Sequence, residues 1–154
     1  MLNLYDLSFS EIYKVIPNWK WCELKQGYEL SIISKNDILL YAGWILEEGI
    51  ENFDLIIDLI IYENLEEILP QLVDSEYEDY LDIINSKWLF AIIYTAFLNC
   101  EDKIFDIIED LYVEFDYPEE ISSLIAYMPM TSNKSMKEKL MDYIKVNKSK
   151  WCSD

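Results

Sequence analysis

The sequence predicts an all-α protein of about seven or eight helices, with residues 1–154 forming a single helical domain. Stacked helical hairpins are one arrangement open to it. The chain holds only three glycines and four prolines in 154 residues. Its apolar residues recur mainly at steps of three and four, the spacing of one helix face. Ser-x-x-Glu or Ser-x-x-Asp sequences, which satisfy the amides of a first helical turn, precede several of the apolar runs. A chain of this length buries roughly 68–70% of its unfolded surface, enough for a core without cross-links.

The elements follow in order along the chain. Ser8-Phe9-Ser10-Glu11 is a capping box opening a short helix that must stop by Pro17. Trp19 to Gln26 predicts another turn or two of helix, ended at Gly27. Ser34-Lys35-Asn36-Asp37 opens a helix with Ile38, Tyr41, Ala42, Ile45 and Leu46 on one face and Gly49 as its stop. Phe53, Ile56, Ile57, Ile60 and Ile61 repeat the pattern, with Asp54 and Asp58 opposite. Asn64 caps a helix carrying Leu65, Ile68, Leu69 and Leu72, in which Pro70 predicts a kink. Ser75-Glu76-Tyr77-Glu78 is a further capping box leading into Tyr80, Leu81 and Ile84. Trp88 to Leu98 is apolar all round and predicts the central buried helix. Glu101 to Phe115 has the clearest stripe: Ile104, Ile107, Ile108, Leu111, Tyr112 and Phe115, with acids covering the other side. Pro118 is expected at the first position of a helix ending near Tyr127, and Ser135 with Glu138 opens a last, lysine-rich helix. No stretch has a convincing strand pattern, and Tyr28 to Ile33 is the one ambiguous segment.

The charge is lopsided: 30 acids against 12 basic residues, every one of them lysine, for a formal net charge of −18. Histidine and arginine are absent. That removes the Ser-His-Asp triad, the Cys-His dyad, His-ligated zinc and the arginine phosphate fork. Residues 37–120 carry 23 of the acids against Lys87 and Lys103 alone. Such a surface repels nucleic acid and anionic membranes, and neither is expected as a direct ligand. Glycine-rich phosphate loops and calcium-loop spacing are missing. Adjacent carboxylates are too numerous for any pair to single out a glycosidase-like acid and base. The Asp102, Asp106 and Asp110 spacing is better read as the exposed side of a helix than as a metal site. No catalytic residue, metal or cofactor is expected.

Cys22, Cys100 and Cys152 lack metal-ligand spacing and predict reduced, structural thiols. The first ten residues do not resemble a signal peptide. The longest uncharged apolar run, Trp88 to Cys100, is 13 residues, short of the roughly 18 that span a membrane. A cytoplasmic protein is expected.

Acids interleaved with tyrosine mark the candidate binding surface. Asp74, Glu76, Tyr77, Glu78, Asp79 and Tyr80 form one such segment, and Asp116, Tyr117, Glu119 and Glu120 another. Carboxylates steer and pair with lysine or arginine, while tyrosine adds large contact area at low entropic cost. Acids are also favoured at helix starts, and tyrosines in cores, so each segment alone has a structural explanation. A surface made from both would present carboxylates where a nucleic-acid-binding protein expects phosphates.

The stretch from Ile108 to Pro129, IEDLYVEFDYPEEISSLIAYMP, resembles the C-terminal signature of the short acidic bacterial proteins of the family known as domain of unknown function 2247. Ser34 to Ala42 is similar to that family's early helix, and Lys87-Trp88-Leu89 to its middle one. Phe115 to Glu120 and Tyr127 to Pro129 are the specific parts of a likeness covering about two thirds of the chain. The resemblance implies a small bacterial cytoplasmic protein of a kind associated with toxin–immunity loci, and it brings no catalytic residues. The composition is also similar to that of contact-dependent growth inhibition immunity proteins. The expected function is therefore a non-enzymatic immunity protein that neutralises one cognate protein toxin, a basic domain such as a nuclease. The alternative is a helical adaptor using an apolar patch, with the uncharged segment Ile121 to Asn133 as its surface.

Overall fold

Local capping explains where three helices of the computed structural model begin. The structure describes residues 7–76, 80–125 and 135–152. Eight α-helices occupy them: α1 (Phe9–Val15), α2 (Trp21–Glu29), α3 (Lys35–Ile45), α4 (Phe53–Tyr62), α5 (Leu65–Asp74), α6 (Leu81–Asn99), α7 (Ile104–Glu114) and α8 (Met136–Trp151). Two 3-10 helices, Glu101–Lys103 and Glu119–Leu124, complete the order, and no strand occurs among the described residues. The all-α expectation holds.

Ser8 accepts the Glu11 amide at 3.4 Å to open α1, and Ser135 accepts that of Glu138 at 3.2 Å to open α8. At α3 the box is reciprocal: Ser34 Oγ accepts from the Asp37 amide at 3.2 Å, and Asp37 accepts from the Ser34 amide at 2.9 Å. Helix ends are equally local. Ser31 and Asp116 take the left-handed conformation one residue past the caps of α2 and α7. The Ile32 amide then reaches Gly27 O at 2.9 Å and the Tyr117 amide reaches Tyr112 O at 2.7 Å, closing two Schellman motifs.

The chain divides into two compact units. One, Asn18–Ile84, holds α2 to α5 and the first turn of α6. In it α2 packs on α5, α3 on α4 and α4 on α5. Trp21 meets Tyr41 edge-on at 5.6 Å, and the Tyr41 hydroxyl donates to Trp19 O at 2.9 Å. The other unit joins Leu2–Pro17 to Asn85–Asp154. Its core is the body of α6, with Trp88, Phe90, Ile92 and Ala96 inaccessible to solvent. Phe9 of α1 lies 6.3 Å from the Trp88 ring, and Phe90 stacks at 5.3 Å on Tyr94. α6 is long and apolar enough to cross a membrane by length and composition, and more than half of that stretch is buried inside the protein.

Five expectations are corrected. Gly27 does not end α2; it lies buried within it, and the helix runs to Glu29. α3 stops at Ile45, and Gly49, at φ +89°, serves the following turn instead. On α4 the buried residues are Ile56 and Leu59, about 100° or one residue around from the expected stripe. Eight of the ten α4 residues are apolar, so neighbours rather than pattern choose its inner face. Ser75 closes α5, the helix that contains Pro70, rather than opening the next. Pro118 stands before the 3-10 helix Glu119–Leu124 with extended backbone, so no α-helix starts there. Tyr127, its expected end, lies outside the described residues.

Candidate partner-binding surface

The first acidic segment leaves α5 at Asp74, which is exposed. Glu76 turns back into its own unit. Its two carboxylate oxygens accept the amides of Trp21 at 2.9 Å and Cys22 at 3.0 Å. These are the first two residues of α2, whose N-cap is Lys20, a side chain unable to accept a hydrogen bond. Glu23 accepts the Lys20 amide at 2.8 Å, so two carboxylates together cap this helix. Burial raises the Glu76 pKa above the ordinary carboxylate value and neighbouring Glu23 adds to that, while the two amides and Lys20 act the other way. Both Glu76 oxygens thus serve the fold.

A cleft of about 370 Å³ lies beside this cap, lined by Lys20, Trp21, Ile50, Asn52, Ser75 and Glu76. Asn52 Nδ2 donates to Ser75 Oγ at 2.8 Å across its rim. Tyr77, Glu78 and Asp79 lie outside the described residues. Tyr80, which follows them, is 82% exposed.

The second segment belongs to the other unit. Asp116 and Tyr117 are exposed, at φ 59° and 57°. Tyr117 packs edge-on against Tyr112 at 5.3 Å. That contact joins the residue after the turn to the last full turn of α7, as a Schellman motif favours. Glu119 is exposed; Glu120 is exposed too and accepts from Ser86 Oγ at 2.9 Å. Tyr117 therefore has an internal packing role alongside its exposed face.

The charge is not shared evenly. Residues 18–84 carry 16 acids and three lysines, whereas the other unit carries 14 acids and nine lysines. From residue 36 to residue 86 there is no lysine and there are 14 acids. Lys87, next along, is buried, its ammonium 5.9 Å from the centre of the Trp151 ring. By sequence Lys87 is one of two cations offsetting the acids of residues 37–120, and its burial removes it from the surface.

Among the described residues no three His, Cys, Asp or Glu side chains converge as metal ligands. Asp102 sits in the 3-10 turn before α7, so its spacing to Asp106 and Asp110 does not continue one helical face. The three cysteines form no disulfide. Burial raises the Cys152 thiol pKa, only partly offset by Lys148. Burial, reinforced by Glu120, pushes the Tyr143 phenol far above its ordinary range. The adaptor reading loses part of its surface, because Ile121, Leu124 and Ile125 are buried; residues 126–133 lie outside the described residues. Pattern alone missed the exposure of Ile61 and Tyr62 at the end of α4. The only available signal was the excess of apolar residues in that helix.

Helices without strands among the described residues, with acids gathered on one stretch and almost no surface cations among them, define an acidic all-α protein. The chain belongs to the family described as "Uncharacterized protein conserved in bacteria (DUF2247)", whose model matches residues 10–148. The expected family is borne out over more of the chain than the quoted segments covered. No curated protein and no solved structure matches it.

Proposed function

We propose that this protein is an immunity protein: it binds one cognate bacterial toxin domain, a basic protein such as a nuclease, and blocks it without catalysis. The observation that carries the reading is the run of 14 acids and no lysine over residues 36–86, ended by a lysine that is buried. Solubility alone needs far less charge, and self-repulsion costs stability. A uniformly anionic face instead speeds encounter with a cationic partner and occupies the lysines and arginines that would hold phosphates. In the unit Asn18–Ile84, Asp74, Glu78 and Asp79 supply steering and ion pairs with Tyr80 as anchor; Glu119 and Tyr117 offer a separate contact on the other unit. Glu76 is left to the fold.

The test is association kinetics with the partner recovered from the source bacterium. Glu78→Lys combined with Asp79→Lys is expected to slow association and flatten its salt dependence. An unchanged association rate and an unchanged salt slope would remove this patch from the interface.

A further inference from the structure

Eight of the ten residues of α4 are apolar, yet only Ile56 and Leu59 are buried. At about 100° per residue, Asp54, Asp58, Ile61 and Tyr62 fall in one sector opposite that buried pair. The whole sector faces solvent: Asp54 and Asp58 are exposed, Ile61 is 60% exposed and Tyr62 70%. A single exposed aliphatic needs no explanation. An isoleucine and a tyrosine side by side, each one helical turn from an aspartate, make the composite of apolar anchor and charged rim that interface hot spots use.

Charge identifies what covers this face. No lysine lies on α4 or α5, and α5 adds Glu66, Glu67 and Asp74, all exposed. A cationic protein surface with apolar groups complements it. A second copy fits poorly, because its basic helix α8 comes attached to a chain of net charge −18.

We propose that the outer face of α4, with Ile61 and Tyr62 as anchors and Asp54 and Asp58 as guiding charges, is a docking site for a basic protein partner. This rests on the reading that the chain binds a basic protein, and it adds where the apolar part of that contact sits.

The test uses the full chain labelled with nitrogen-15 and titrated in low salt with a synthetic amphipathic lysine–leucine helical peptide. A glutamate–leucine peptide is the control. Amide shifts are expected to centre on residues 53–62. Ile61→Ala with Tyr62→Ala should weaken binding about ten-fold or more, while Val146→Ala, at an exposed apolar residue of α8, leaves it unchanged. Should the double alanine variant lose its fold, Asp54→Lys with Asp58→Lys reads the same loss. Shifts centred on Asp74–Tyr80 or Asp116–Glu120 would overturn this site and leave the acidic-surface reading standing. No binding anywhere in low salt would overturn both. Shifts of residues 53–62 that appear on concentrating the chain alone would assign the face to a second copy and overturn the proposal.

Discussion

Replacing Glu76 by alanine leaves the first two amides of α2 without their acceptor. Both belong to residues that are nearly inaccessible, Trp21 at 7% and Cys22 at 4% exposure. Each amide bond to a carboxylate contributes about 1–2 kcal/mol net, and an orphaned buried amide costs a similar amount. Against this stand the cost of holding a half-buried charge and its repulsion from Glu23, the two influences that raise its pKa. The balance is a loss of about 2 kcal/mol for Glu76→Ala, or roughly 4–8 °C in Tm for a chain of this length. Glu76→Gln keeps one acceptor and should lose about half as much. The pH dependence has a definite sign. A carboxyl whose folded pKa is raised binds its proton more tightly in the folded state. Its contribution is therefore complete below the ordinary value of 4.5 and declines as pH rises through the folded value. Glu76→Gln removes that decline. Urea unfolding at several pH values in the acid range measures both effects. A Glu76→Ala variant within about 0.5 kcal/mol of the parent at every pH would refute the long-range cap.

Three further substitutions probe the same logic of caps and backbone. Asp116→Gly relieves a left-handed residue at the end of α7 and should raise stability by about 0.5–1 kcal/mol in denaturant melts. Pro70→Ala restores an amide donor for Glu66 O inside α5 and should stabilise by about 1–2 kcal/mol, read as a higher urea midpoint at constant m. Ser34→Ala removes the reciprocal cap of α3 and should cost about 1 kcal/mol, with hydrogen exchange accelerating first in the turn Lys35–Asp37.

Features written in a few adjacent residues were legible in the sequence. The Ser-x-x-acid starts of α1, α3 and α8 appear as read, as do five of the six residues of the α7 stripe, from Ile104 to Tyr112; the sixth, Phe115, is half-buried at the cap beyond the helix. What escaped was whatever depends on residues far apart. Ser75-Glu76 has the spelling of a helix start, but Glu76 caps a helix 54 and 55 residues earlier, which no local pattern encodes. The inner face of α4 is set by α3 and α5, because a nearly all-apolar helix specifies no face of its own. Pro118 stands one position before the 3-10 helix rather than first in a helix, since two left-handed residues before it reverse the chain first. Of the candidate surface, the charge asymmetry was legible outright, whereas the internal duties of Glu76, Lys87 and Tyr117 required the fold.

The central claim is that the unneutralised acidic surface exists to bind a basic protein. Its most direct measurement is affinity capture of the tagged chain from its source bacterium, washed at low and then high salt, with the eluate identified by mass spectrometry. The account predicts one stoichiometric basic protein, held at low salt and released as ionic strength rises. A partner that stays bound at high salt, or a set of acidic or neutral proteins in its place, would contradict it.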